Sequence, residues 1–143
     1  MNMQGRNVKN ARNVMQDAWT YNGTSPGPTL RVRQGDLVVV HLVNHLSVGV
    51  TIHWHGVAVP NSADGVAGVT QDAVKPGQSY TYRFLAKDPG TYWYHSHQES
   101  FEETGNGLYG MLVVEPARPV VHDDVDGVGA NAKCCRDRLT GSG

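Results

Sequence analysis

Thr51-Ile52-His53-Trp54-His55-Gly56 and Gly90-Thr91-Tyr92-Trp93-Tyr94-His95-Ser96-His97 decide how this chain reads. Each stretch sets a His-x-His pair inside an apolar, β-branched and aromatic run, the composition of a strand. Strand side chains alternate between faces, so His53 and His55 share one face while Ile52 and Trp54 take the other. His95 and His97 do the same, with Ser96 opposed. Four imidazoles on two adjacent strand ends would form a nitrogen-rich patch suited to copper or zinc. Residues two apart on a strand stand roughly 6.5 Å apart at Cα. That spacing serves two neighbouring ions at least as well as one, so a multinuclear site is open without being required.

Working outward, turn signals recur at short intervals. Ser25-Pro26-Gly27-Pro28 breaks the chain, and residues 29–33 then alternate with Leu30 and Val32 on one side. Gly35-Asp36 turns it again. Residues 37–44 form a strand with apolar residues on both faces, the pattern of a sandwich interior. Residues 60–68 are a Gly/Asn/Asp loop and Lys75-Pro76-Gly77-Gln78 is a turn. Tyr80, Tyr82 and Phe84 point one way, and residues 108–115 make the last strand before Pro116. Short strands separated by such punctuation predict a two-sheet β-sandwich.

Bulk properties agree with this reading. A chain of 143 residues is most simply one domain. Only 17% of residues are charged, and 17 glycines with seven prolines favour a β-rich domain over a helical one. The net charge of −1 carries no large block of one sign, which argues against nucleic acid and anionic membrane surfaces as partners. There is no membrane-length apolar segment and no internal repeat.

The ends differ in texture from the middle. Residues 1–17 are polar, lack the apolar run of a signal peptide, and read as a leader or an edge segment. Residues 18–116 hold the patterned domain. Residues 117–143 carry an acidic patch, His122-Asp123-Asp124-Val125-Asp126, then a basic stretch around Cys134-Cys135, and end Gly141-Ser142-Gly143. This part reads as a disordered tail or the remnant of a connector. A disulfide between adjacent cysteines is strained, so the two thiols read as unpaired and say little about redox compartment.

The two histidine stretches resemble the amino-terminal copper motifs of multicopper oxidases, the laccase-like family. Three flanking stretches match in the same order: Tyr21-Asn22-Gly23 through Pro26-Gly27-Pro28, Asp64-Gly65-Val66 leading to Val69-Thr70-Gln71, and Gly107-Leu108-Tyr109-Gly110. The likeness spans about residues 18–116. It implies an all-β, cupredoxin-like Greek-key sandwich or barrel, a single domain with flexible ends, and copper as the metal. It also implies that His53 is a type-2 copper ligand and that His55, His95 and His97 are ligands of paired type-3 coppers. Relatives in this family are commonly exported, to the periplasm or outside the cell; on that basis either a leader has been removed or the chain is a truncated piece.

The same resemblance sets roles for the remaining candidates. Asp64, eleven residues after His53, occupies the place of the acidic residue that the family associates with proton delivery near the type-2 copper. Asp-Gly is equally a plain turn. Trp54 and Trp93 pack the core or wall the site, while His41, His45 and His122 read as surface or hydrogen-bonded side chains. The family draws its type-1 thiolate from a later His-Cys-His motif. Here the middle residue is Ser96, and Phe101 stands where a further histidine would be, so no type-1 site is expected. One copy then holds half of a trinuclear centre for reduction of dioxygen by an unidentified reductant. The other half comes from a second cupredoxin domain. Two alternatives stand beside this: a homo-oligomeric oxidase completed by a second copy of the chain, and a non-catalytic interaction module of cupredoxin shape.

Overall fold

A computed structural model of the protein describes residues 1–9 and 15–118. The strands in chain order are β1 (Asn2–Lys9), β2 (Met15–Tyr21), β3 (Leu30–Arg33), β4 (Leu37–Asn44), β5 (His53–His55), β6 (Ser79–Leu85), β7 (Gly90–His95) and β8 (Tyr109–Glu115). A 3-10 turn, Asn61–Ala63, follows β5, and a short helix α1 (Ser100–Gly105) separates β7 from β8. They form two four-stranded sheets, ordered β2-β1-β4-β6 and β3-β8-β7-β5. Each sheet is mixed: β1 runs parallel to β4, and β3 parallel to β8. The expected two-sheet sandwich is therefore present, and strand periodicity did not announce the helix α1.

The core lies between the sheets. Met3, Tyr21, Leu42, Trp54, Tyr82, Phe84, Tyr94 and Leu112 are all buried there. Trp54 sits at its centre, 4.8 Å from Phe84 and 5.8 Å from both Tyr82 and Tyr94 between ring centroids. Gly110 lies opposite Tyr94 in the β7–β8 ladder, and a Cβ there would come within 2.3 Å of the tyrosine ring. The aromatic packing needs that gap.

Within the polar opening segment, residues 15–17 begin β2 at the sheet edge, while β1 lies between β2 and β4 and pairs with β4 at Asn2 and Met3. Backbone pairing holds β1, from Met3↔Tyr21 to Lys9↔Met15, and the Met3 side chain is buried. A strand held in that way leaves no apolar period to read. Strand β4, expected to be apolar on both faces, buries only one: Val38 and Leu42 point inward while Leu37 and Val39 are exposed. Residues 119–143, including His122 and Cys134-Cys135, lie outside the described residues.

Candidate metal centre

Strands β5 and β7 are antiparallel neighbours, with His53 opposite His95, Trp54 opposite Tyr94 and His55 opposite Trp93. Trp54 and Tyr94 point into the core, so alternation sends His53, His55, Trp93 and His95 to the outer face of the sheet. The two histidine pairs thus meet side by side at one edge. Ring centroids of His53 lie 5.8 Å from His55, 5.4 Å from His95 and 5.1 Å from His97. His95 is 5.7 Å from both His55 and His97. His53, His55 and His95 each bring one ring nitrogen to within 4.8 Å of the others.

Hydrogen bonds set which nitrogen is free. His53 Nδ1 is 2.7 Å from the carbonyl oxygen of Asp64, and His95 Nδ1 is 2.8 Å from that of Ser96. A carbonyl only accepts, so each Nδ1 carries the proton and each Nε2 keeps its lone pair. His95 Nε2 is buried with no hydrogen-bond partner. A metal-binding histidine is held in this way, with its second nitrogen donated to a fixed acceptor. Burial, and then the neighbouring His53, His97 and His55, lower the pKa of His95 and favour its neutral form, the form able to bind a metal. Trp93 stacks on His95 at 4.1 Å and 26°, and lies 5.1 Å from His55, so it walls one side of the patch.

Asp64 comes to the site through a close backbone approach. After the 3-10 turn the chain passes so near β5 that a Cβ on Gly65 would stand 1.8 Å from the Ile52 carbonyl oxygen. Gly65 also has φ +74°, in the left-handed region. Its absent side chain lets the Asp64 carbonyl reach His53. The Asp64 carboxylate then stands 3.5 Å from His53 Nδ1, with its side chain 32% exposed.

His97 lies beyond the end of β7, outside the strand ladder. Its amide donates to Thr51 Oγ1 at 3.2 Å, and the next amide, of Gln98, donates to Glu103 Oε2 at 3.3 Å. Thr51 and Glu103 are both buried, and burial raises the Glu103 carboxyl. Sequence reading had not singled out either residue; a lone threonine and one of three glutamates near α1 carry no local signal. His41 is exposed and hydrogen-bonded to Thr81 Oγ1 at 2.9 Å, and His45 is exposed. Neither joins the cluster. Ser96 is buried and accepts the Thr51 amide, while Phe101 is exposed on α1.

Comparison with known proteins bears on this geometry. A family model described as multicopper oxidase matches residues 2–119. The chain belongs to the multicopper oxidase family. It is 46% identical over 110 residues to a copper resistance protein A homolog of Pseudomonas syringae pv. tomato, covering 77% of this chain and 18% of that protein. To L-ascorbate oxidase of Cucumis sativus it is 48% identical over 98 residues, covering 66% of this chain and 16% of that one. The fold matches a multi-copper oxidase from Pseudomonas Thermotolerans with a TM-score of 0.80 at 39% identity, over 85% of this chain and 30% of that one. The chain therefore spans under a fifth of the length of these two curated relatives. As a multicopper oxidase domain of cupredoxin-like fold, it has copper as its implied metal. Neutral imidazoles with unengaged Nε2 atoms fit that metal. Among the described residues, no helix is long and apolar enough to cross a membrane.

Proposed function

We propose that His53, His55, His95 and His97 are ligands of a type-2/type-3 trinuclear copper centre for dioxygen reduction, with the remaining ligands supplied by a second cupredoxin domain. The observation that carries this reading is the direct opposition of His53 and His95 on an outer sheet face, each Nδ1 tied to a backbone carbonyl. Copper bound there supplies the four-electron reduction of dioxygen to water. The chain's own part is to hold neutral imidazoles in place and to manage protons at the edge of the patch. In this reading His53 serves the type-2 ion and the other three serve the type-3 pair. Asp64 Oδ1, beside His53 and partly open to water, passes protons between solvent and the site. In this reading Ser96 and Phe101 stand where a type-1 site would need cysteine and histidine, and electrons enter through the second domain.

An outer face supports a centre shared between domains better than one enclosed by this chain. Trp93, Tyr109 and Met111 are exposed on the same face beside the histidines, forming an apolar surface that a second domain would cover. A second copy of the chain meets the same requirement through twofold symmetry. Localisation outside the cytoplasm follows from the family and is proposed with the rest.

Copper titration of metal-free protein, with mass measured in parallel and electron spin resonance for type-2 signals, tests the reading. Copper bound by a monomer through these histidines, without oxygen uptake, supports a centre completed by another domain. About three coppers per dimer with oxygen uptake supports completion by a second copy. Absence of specific copper uptake overturns the proposal and leaves an interaction module.

A further inference from the structure

Strand pairing places three of the four histidines and leaves the fourth unexplained. His53, His55 and His95 lie within paired strands, but the ladder between β7 and β8 ends at His95↔Tyr109. His97 follows two residues later, where no cross-strand partner dictates its path. Its ring nonetheless stands 5.1 Å from His53 and 5.7 Å from His95.

We propose that Thr51 and Glu103 form a clamp on two consecutive amides, those of His97 and Gln98, and that this clamp positions His97 as a metal ligand. The proposal rests on the metal-site reading above and adds to it two residues that touch no metal. Thr51 Oγ1 accepts the His97 amide at 3.2 Å, and Glu103 Oε2 accepts the Gln98 amide at 3.3 Å. Both side chains are buried, at 0% and 1% exposure. The clamp is itself anchored at either end. Thr51 donates its own amide to Ser96 Oγ at 3.3 Å, which couples the approach to β5 with the exit from β7. The Glu103 amide donates to Glu99 O, Leu108 N–H donates to Glu103 O, and Ser96 N–H donates to Leu108 O, so α1 and the start of β8 hold the glutamate in place.

Glu103 Oε1 is buried with no hydrogen-bond partner, so the carboxyl group is only partly satisfied. An apolar residue of similar size removes that group but leaves the Gln98 amide without its acceptor, so some loss of stability accompanies the loss of the grip and metal affinity is the readout that separates the two. What an apolar residue cannot do is grip the Gln98 amide. Glutamine keeps an oxygen for that amide and so preserves the grip.

The test measures copper affinity by competition with a chelator in wild-type protein, Glu103→Leu, Glu103→Gln and the core variant Leu112→Ala. Glu103→Leu should weaken copper binding about tenfold, the lower end of the range for outer-shell groups. Glu103→Gln should stay within about threefold of wild type, and Leu112→Ala should lose stability while keeping affinity. If Glu103→Leu does not fold, Thr51→Val opens the other jaw with the same expected loss. The clamp is overturned if Glu103→Leu binds as wild type does, if Glu103→Gln falls as far as Glu103→Leu, or if Leu112→Ala falls equally. Amide hydrogen exchange in metal-free protein keeps this test distinct from failure of the copper reading. The His97 and Gln98 amides should be protected in wild type and should lose protection in Glu103→Leu. Unprotected amides in wild type overturn the clamp even if copper binds.

Discussion

Replacing Gly65 by alanine should detach Asp64 from the histidine patch while leaving both sheets intact. The added Cβ would stand 1.8 Å from the Ile52 carbonyl oxygen, whereas real Cβ atoms essentially never come closer than 3.0 Å. Moving from 1.8 to 3.0 Å requires a retreat of about 1.2 Å. Taken along the His53–Asp64 direction, that stretches the 2.7 Å bond between His53 Nδ1 and Asp64 O to about 3.9 Å, beyond hydrogen-bond range. Alanine at φ +74° adds backbone strain of about 1–3 kcal/mol, and the lost hydrogen bond costs about 1 kcal/mol. A total near 3 kcal/mol lowers the urea midpoint by roughly 1.5 M at an m-value of about 2 kcal/mol/M. Urea unfolding of metal-free protein gives that shift, and nitrogen-15 spectra of the imidazoles give the tautomers. His53 should lose its fixed Nδ1–H form while His95 keeps its own. Gly65→Asn, which tolerates positive φ but still carries a Cβ, should fail in the same way. A loss under about 0.5 kcal/mol with the His53 tautomer unchanged would refute the argument that backbone contact at Gly65 sets this histidine.

Other consequences are open to direct measurement. His53→Ala and His95→Ala should each weaken copper binding by more than the roughly 10–100-fold seen for outer-shell partners, while His41→Ala and His45→Ala leave it unchanged; a calorimetric titration compares the four. Copper should quench fluorescence chiefly through Trp93, which stacks on His95, so Trp93→Phe should remove most of the copper-dependent quenching while Trp54 remains bright. His95, its pKa lowered by burial, stays neutral in the fold at pH values where the unfolded chain gains a proton. Its contribution to stability is thus complete above about pH 6.5 and is lost as pH falls toward the folded value. Glu103, raised by burial, contributes with the opposite slope, so the comparison is with His95→Asn, whose urea midpoint should fall less between pH 7 and 5 than that of wild type. Trp54→Ala should cost about 3–5 kcal/mol in the same assay, since it empties the centre of the aromatic core.

Local pattern was enough to assign the His53–His55 strand and the strand that runs to His95, to set Ile52 and Trp54 on the face opposite His53 and His55, and to expect a two-sheet sandwich. The reason is that alternation has a period of two and acts within a few residues. The same limit explains what stayed hidden. His97, expected on the same strand as His95, lies beyond its end. Strand β1 is mostly polar in sequence and carries the buried Met3, so its place between β2 and β4 depends on partners far along the chain. The outward exposure of Leu37 and Val39 depends on which face of β4 the opposite sheet covers.

From sequence alone came the identity of the four imidazoles and the sharing of one strand face by His53 and His55. Only tertiary structure decided that His53 stands opposite His95, because a cross-strand register is a choice among long-range contacts that no local period records. It also brought the Asp64 carbonyl to His53, through a backbone approach that only glycine permits. The amides of His97 and Gln98 gained buried acceptors in the same way, from residues 46 positions before His97 and five after Gln98.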